Sequence, residues 1–284
     1  MEIALAIADP RRLASLRSFE SLDRAALLAF LDDPQLAQLL PCGARATHLY
    51  FGSEYCEHLF PDDHDLDAAL AQAARLGLGF VLLTPIASDA LLERIVAAVG
   101  RLPSAAQVVV NDWGVAHEMK TRFPCHAMLA GRQLAKMIKD PRMPAPAWGK
   151  VYPSNYGAAP FARVLSGFGI GQVELDVPPF ASVDLFAVDQ LAVSVWAPYA
   201  YIAKGRICKV GSLGRATADK FAPGRACHQE CLGMLEREPD AVLTGLRTFS
   251  RGTTMFYQHD AKLFGVVREA ISQGHVARLV LSEV

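Results

Sequence analysis

The sequence predicts an α/β fold, and within that class a (β/α)8-type barrel. Short runs rich in valine, leucine and isoleucine alternate with stretches whose apolar residues recur at helical spacing. Each short run is too apolar to expose one face to water, which is typical of parallel strands covered by helices on the outside. A closed barrel, regular or incomplete, accommodates this repetition, and an open doubly wound sheet is the alternative.

The predicted strands are spread along the whole chain. The eight that would form the barrel are Ile3 to Ala8, His48 to Phe51, Phe80 to Thr84, Gln107 to Asn111, His126 to Leu129, Gln172 to Leu175, Leu191 to Val195 and Arg278 to Leu281. Two further strands can be placed between Val242 and Tyr257. Helices are predicted between them at Leu22 to Leu31, Asp65 to Leu76, Asp89 to Val99, Ala116 to Arg122, Ala159 to Gly167 and Lys262 to Gln273.

Composition and charge narrow the class of protein. The chain has 284 residues, 52% of them hydrophobic and 20% charged, so we expect one barrel-like domain over residues 1–284 with a sizeable core. Its net charge of -1, without a long basic run, does not favour nucleic acid as a partner. The first ten residues contain no basic n-region and no apolar stretch long enough for a signal peptide or a membrane span. We therefore expect a cytoplasmic protein, in which cysteines stay reduced.

Two regions interrupt the alternation of strands and helices. Residues Asp140 to Tyr156 are rich in proline and glycine and are predicted to form a long loop. A second loop is predicted at about residues 205–236, where Gly211, Gly214, Pro223 and Gly224 exclude a continuous strand or a long helix. This second loop contains three of the six cysteines.

Four cysteines form a candidate metal-binding set. Cys208, Cys227 and Cys231 make a C-x18-C-x3-C array, and Cys56 follows the predicted strand that begins at His48. Thiolate is the ligand that iron clusters select, and four thiolates complete a 2Fe-2S or a 4Fe-4S site. Zinc is a second interpretation, and buried structural thiols without metal are a third. The two remaining cysteines, Cys42 and Cys125, are interpreted as structural rather than as ligands.

Polar residues also follow predicted strands, where a barrel places its functional groups. Asn111 and Asp112 end one strand and could bind a ligand, or Asp112 could cap the next helix. Glu174 and Asp176 share one side of another strand, where they could perform acid–base chemistry or pair with an arginine such as Arg132 or Arg163. Ser194, Trp196, Tyr199 and Tyr201 alternate further on and could form an aromatic wall or part of the core.

The motifs of the commonest hydrolases and nucleotide-binding proteins are missing from the sequence. It contains no G-x-S-x-G elbow, Walker loop, H-E-x-x-H helix or G-x-G-x-x-G turn in a suitable setting.

Several segments resemble the collagenase-like peptidase family, which includes the oxygen-independent ubiquinone hydroxylation proteins UbiU and UbiV, and the layout is nearer UbiV. Leu49 to Cys56 resembles the family's "YLGE..C", and Val110 to Gly114 resembles its "NDxG". The other matching stretches are Leu129 to Arg132 with Lys136 to Arg142, and Arg206 to Cys208 followed by Cys227 and Cys231. The resemblance covers residues 47 to 284.

The resemblance implies a barrel-like fold with a 4Fe-4S cluster on Cys56, Cys208, Cys227 and Cys231. It also implies a heterodimer with a paralogous partner and oxygen-independent hydroxylation of an aromatic, ubiquinone-precursor-like substrate, with oxygen from a small organic donor such as prephenate. Asn111, Asp112 and Arg132 are then the expected donor-site residues, because the planar guanidinium of Arg132 suits a carboxylate. The alternatives are a non-catalytic assembly subunit with a structural cluster, or an RNA-modifying or protease-like member of the same family.

Overall fold

Eight parallel strands close into a barrel, as the sequence predicts. The computed structural model describes residues 1–142, 147, 154–205, 207–220, 227–238 and 244–283. In chain order the barrel strands are β1 (Glu2–Ile7), β2 (His48–Gly52), β3 (Gly79–Leu83), β4 (Gln107–Val110), β5 (Ala127–Ala130), β6 (Gln172–Leu175), β7 (Ala192–Ala197) and β12 (Arg278–Ser282). Around the barrel they follow the order β1-β12-β7-β6-β5-β4-β3-β2, so the first and last strands pair and close it. The open doubly wound sheet is therefore excluded.

Helices cover the outside of the barrel. They are α1 (Pro10–Leu13), α2 (Arg24–Leu31), α3 (Asp63–Leu76), α4 (Asp89–Val99), α5 (Trp113–Arg122), α6 (Ala159–Phe168) and α7 (Ala261–Ser272). All of them except α6 begin after a side-chain cap, such as Ser88 before α4 and Asp260 before α7, whose side chains accept backbone N–H bonds. Between β6 and β7 the described chain has a short 3-10 turn at Val183–Phe186 in place of a helix. This crossover therefore departs from the regular strand–helix alternation.

A second, antiparallel sheet follows β7. It consists of β8 (Tyr199–Lys204), β9 (Glu236–Arg237), β10 (Thr248–Arg251) and β11 (Thr254–Gln258), in the order β8-β11-β10-β9. Strands β10 and β11 lie where the sequence allows two additional strands, whereas β8 was not predicted. The chain leaves the barrel at the cis Ala197-Pro198 bond and enters β8 immediately. The predicted cysteine loop is the connection between β8 and β9.

The barrel interior is filled by side chains that point inward from alternate strand positions. This inner cluster is separate from the larger core between strands and helices, and it comprises Ala4, Ala6, Tyr50, Val81, Leu83, Val109, Leu129, Trp196 and Val280. Large side chains such as Tyr50 and Trp196 fill the middle of the lumen. Polar side chains therefore lie towards its two ends.

Some predictions concern residues outside the described ranges. Of the predicted Asp140 to Tyr156 loop, residues 143–146 and 148–153 lie outside them, and of the cysteine loop, residues 206 and 221–226. Cys42 and Cys125, predicted to be structural thiols, are both exposed, so neither contributes to the core. No helix in the described part of the chain is long and apolar enough to cross a bilayer.

Candidate functional site

A buried ion network occupies the end of the barrel at which the strands finish. The Nε and Nη2 atoms of Arg132 lie 2.7 and 2.5 Å from Oε2 of Glu54, and its Nη1 lies 2.9 Å from Oδ1 of Asp176. All three residues are buried. Burial disfavours the charged guanidinium, but the charges of Glu54 and Asp176 outweigh it and raise the pKa of Arg132 above its ordinary value. The pairing that the sequence offers as an alternative for Asp176 is therefore present.

Arg132 is the predicted carboxylate ligand, and the structure places its guanidinium between carboxylates of the chain itself. Its plane also lies over two aromatic rings, 3.7 Å from the Trp196 centroid and 5.2 Å from the Tyr55 centroid. An external carboxylate at this guanidinium would have to compete with Glu54 and Asp176.

Asn111 fixes Glu54 from the other side. Its Nδ2 donates to the Thr84 carbonyl (2.9 Å) and to Oε1 of Glu54 (3.2 Å), and its Oδ1 accepts from the Gln133 backbone N–H (2.9 Å). This amide sits directly against Gly131, where an added Cβ would lie 2.3 Å from Oδ1. The predicted site residue Asn111 is thus adjacent to Arg132 and is fully hydrogen-bonded within the protein.

Asp112 caps a helix, which is the second of the two roles that the sequence allows for it. Its Oδ1 accepts from the backbone N–H groups of Gly114 (2.7 Å) and Val115 (3.2 Å), so it is the N-cap of α5. Such a bond satisfies a helix N–H that otherwise has no partner.

Glu174 lies deeper in the lumen than Asp176. Its two oxygens accept from the Tyr50 hydroxyl (3.0 Å) and from Nε1 of Trp196 (2.6 Å), and no arginine reaches it among the described residues. Burial, together with the charge of Glu54, raises the pKa of Glu174 to about 7. The two carboxylates of β6 therefore differ, because Asp176 is ion-paired whereas Glu174 is held by neutral donors.

Lys139 was not predicted as a site residue, although it lies in one of the matching stretches. Its Nζ is 2.5 Å from Oδ2 of Asp176 and 3.1 Å from the Tyr201 ring centroid. Burial lowers its pKa to about 8, although the charge of Asp176 opposes the shift. Tyr201 also donates to the Arg132 carbonyl (3.0 Å). Trp196 of β7 and Tyr201 of β8 therefore both contact Arg132.

The four predicted cysteine ligands come together beside this network. Burial raises the pKa of Cys231 to about 12, and the charges of Cys208, Cys56 and Cys227 add to the increase. The pKa of Cys56 is also raised, first by burial and then by Cys227 and Cys208, against hydrogen bonds from the backbone N–H groups of His58 and Leu59. Four thiols from distant parts of the sequence therefore lie within electrostatic range of one another.

Backbone groups are directed at these sulfurs. The N–H of Gly211 lies 3.3 Å from Sγ of Cys208, and the N–H of Gln229 lies 3.4 Å from Sγ of Cys227. Such bonds are among the contacts that set the potential of iron–sulfur centres.

Four thiols are the donor set that an iron–sulfur cluster requires. In the part of the chain that the structure describes, no group of three or more His, Cys, Asp or Glu side chains could hold one metal ion. In a four-iron cluster each thiolate binds a different iron, so the four sulfurs need not surround one point.

A pocket of about 80 Å³ extends from the barrel mouth to Cys56. Its barrel side includes Arg132 and Trp196, its opposite side includes Phe256 of the antiparallel sheet, and Cys56 lies in its wall. Since a water molecule needs about 10–15 Å³ by this measure, the enclosed part suits a small molecule and not a peptide or a nucleic-acid strand.

The fold and the site define an α/β-barrel protein with a cysteine cluster at the mouth of the barrel. No protein-family model matches the chain, and no curated protein matches it in sequence. Among solved structures, the C-terminal domain of a putative chitinase from Desulfitobacterium hafniense DCB-2 has a TM-score of 0.42 at 11% identity, with 99% of this chain and 92% of that one covered. A glycoside hydrolase family 18 N-acetylglucosaminidase from Paenibacillus barengoltzii gives 0.41 at 10% identity, with 100% and 95% covered. At these scores neither likeness carries an argument about activity.

Proposed function

We propose that this chain is an iron–sulfur protein that supports oxygen-independent hydroxylation of an aromatic, ubiquinone-precursor-like substrate. The observation that carries the proposal is the convergence of Cys56, Cys208, Cys227 and Cys231 beside the barrel-mouth pocket. These residues would hold a 4Fe-4S cluster, and the resemblance to the family of UbiU and UbiV supports a paralogous partner in a heterodimer. A reducing cytoplasm is the compartment in which such thiols remain available to iron.

When bound through four thiolates, such a cluster has no open coordination position and supplies electron transfer. The chain's own residues then provide the environment for the substrate. Trp196, Tyr55 and Phe256 form aromatic walls of the pocket. The ion pair between Glu54 and Arg132, which also line the pocket, fixes the positions of these two side chains. An oxygen donor of the prephenate type would bind in the pocket.

The structure changes the roles that we assign to the predicted donor-site residues. Because Arg132 and Asn111 are already bonded within the protein, we assign them to positioning Glu54 at the pocket, while Asp112 positions α5. A donor carboxylate would reach Arg132 only by displacing one of its present partners.

The first test is the iron and acid-labile sulfide content of protein purified without oxygen, with visible absorption and EPR before and after dithionite. About four irons per chain are expected, together with a visible absorption that the reductant bleaches. Both the iron and the absorption should be lost in Cys231→Ala. Cys125→Ala is the matched control, because Cys125 is exposed and is not one of the four converging cysteines. Iron-free wild-type protein, or equal iron content in Cys231→Ala, would refute the proposal. One tightly bound zinc ion in place of iron would support the zinc interpretation.

A second candidate is a non-catalytic assembly subunit with a structural cluster. The observation in its favour is that the guanidinium of Arg132 and the amide of Asn111 are occupied by the protein itself. Arg132→Lys, checked for intact iron content, separates the two candidates, because Arg132 holds Glu54 at the pocket. Loss of hydroxylated product with normal partner binding supports catalysis, whereas loss of partner binding supports assembly. Copurifying RNA with salt-sensitive affinity would instead indicate an RNA-modifying relative.

A further inference from the structure

A second pocket, of about 300 Å³, lies between the N-terminal segment and the antiparallel sheet. We call it the side pocket. Its charged residues are Asp9, Arg12, Asp33, Arg251 and Glu283. It does not contain any of the four cysteines, although Arg251 and Glu283 also border the barrel-mouth pocket.

Two carboxylate oxygens of the side pocket are buried without a hydrogen-bond donor. Asp33 uses Oδ1 to cap the turn at Pro34–Gln38 by accepting from Gln35 N (2.9 Å), while its Oδ2 has no partner. Glu283 uses Oε2 to accept from Nε of Arg12 (2.7 Å), while its Oε1 has no partner. A buried acceptor left unpaired costs free energy, and such groups are rare in native proteins.

The same pocket contains a guanidinium with free donors. Arg251 donates from Nε to the Cys231 carbonyl (3.2 Å) and forms no ion pair with any residue in the described ranges. It lies in the field of Cys231, Glu283 and Asp9, and neither of the two carboxylates is at salt-bridge distance from it. Its terminal nitrogens are the part of a guanidinium that binds a carboxylate with two parallel hydrogen bonds.

The remaining charges of the side pocket are already satisfied. Asp9 is paired with Arg11 through contacts of 2.7 to 3.0 Å, and Arg12 donates to Glu283 and to the Phe30 carbonyl. Among the described residues, what is left without a partner is therefore one set of cationic donors on Arg251 and one carboxylate oxygen each on Asp33 and Glu283.

We propose that the side pocket binds a small zwitterion of the amino-acid type. The carboxylate of the ligand pairs with Arg251, and its ammonium donates to Oδ2 of Asp33 and Oε1 of Glu283. A simple cation would leave Arg251 unpaired, and a simple anion would leave both carboxylate oxygens unpaired. Leu36, Leu232 and Tyr199 form apolar walls, so an amino acid with an apolar or aromatic side chain suits the pocket best. This inference goes beyond the proposed function, although Arg251 also donates to the backbone of Cys231.

The test is isothermal titration of the whole protein with L-phenylalanine, 3-phenylpropionate, 2-phenylethylamine and magnesium chloride in turn. The second probe lacks the ammonium group and the third lacks the carboxylate. Each should bind about tenfold or more weakly than L-phenylalanine, because a hydrogen bond to a charged group is lost. L-Leucine repeats the comparison without an aromatic ring.

Variants locate the site. Asp33→Asn keeps the oxygen that caps the turn but removes the carboxylate charge, and it should weaken L-phenylalanine binding about tenfold or more. Asp62→Asn, which changes another N-cap aspartate outside the pocket, should leave binding unchanged. Thermal unfolding of both variants reports whether they fold.

Three results would overturn the inference. They are the absence of binding by both amino acids, equal binding of L-phenylalanine and 3-phenylpropionate, and binding of L-phenylalanine that Asp33→Asn does not change. Magnesium binding that Asp33→Asn abolishes would identify a cation site instead. Because iron content is measured separately, failure here is distinguishable from failure of the cysteine-site proposal.

Discussion

The guanidinium carbon of Arg132 lies 3.7 Å from the ring centroid of Trp196, inside the mouth of the barrel. The indole Nε1 of Trp196 in turn donates to Glu174 (2.6 Å), which lies further into the lumen. One aromatic side chain therefore separates a permanently charged group from a carboxylate whose charge changes near neutral pH. The stability of the barrel should depend on both ends of this arrangement.

Arg132→Gln should destabilise the protein by about 3–5 kcal/mol, because it leaves Glu54 and Asp176 buried without their shared cation. Urea unfolding measures the loss. The control is Arg101→Gln, which also removes ion pairs to two carboxylates, Asp63 and Asp67, but at an exposed position. Its effect should be much smaller, and equal losses in the two variants would show that the buried network is not a main source of stability.

Glu174 should make the protein less stable as pH rises from about 4.5 to about 7. Burial raises its pKa to about 7 from an ordinary 4.5, so in this interval the folded state holds a proton that the unfolded state has released. The effect is on the order of 3 kcal/mol and is complete above pH 7. Glu174→Gln should lack this pH-dependent part, as measured by the free energy of unfolding at several pH values. A parallel pH dependence in variant and wild type would contradict the assignment.

His259 should make the protein less stable as pH falls, which is the opposite of the effect of Glu174. It is buried, neither ring nitrogen is hydrogen-bonded to any described residue, and burial lowers its pKa to about 4 from an ordinary 6.5. The unfolded state therefore takes up a proton first, so stability is lost as pH falls from about 6.5 to about 4. His259→Leu should reduce this acid-induced loss and shift acid unfolding, followed by circular dichroism, to lower pH. His275→Leu is the control, because His275 is only partly buried.

Gly131→Ala should destabilise the protein by about 1–3 kcal/mol and disturb the ion network. An added Cβ would lie 2.3 to 2.5 Å from the Asn111 amide, which would have to move away from Glu54. Gly167→Ala in α6 is the matched control, because no atom lies within 4 Å of its added Cβ and alanine favours a helix. Thermal unfolding should separate the two variants, and equal midpoints would show that Asn111 has room to move.

The sequence predicted the barrel because hydrophobic runs carry the strand pattern locally. The prediction missed β8 because Trp196 and Tyr199 belong to one continuous apolar run in the sequence. In the structure the chain passes from one sheet to the other at Ala197-Pro198, within this run. Proline between two apolar runs was the available signal for that break.

The site was only partly predictable. Asn111 was found by its position after a strand, and Arg132 by the family resemblance and as a possible partner of Asp176. The contact between Arg132 and Glu54 was missed, because the two residues are remote in sequence and only folding brings them together. Glu54 follows β2 directly and could have been found by the same strand-end rule. No local pattern reveals Arg251 as an unpaired guanidinium, because this follows from what lies around it.

The four cysteines come from two separate parts of the architecture. Cys56 belongs to the connection after β2 of the barrel, whereas Cys208, Cys227 and Cys231 belong to the excursion from the antiparallel sheet. Any group bound by all four would act as a cross-link that closes a long loop of chain and restricts the unfolded state. Limited proteolysis after cofactor removal should then cut first in the excursion around Cys227, with the barrel strands still protected.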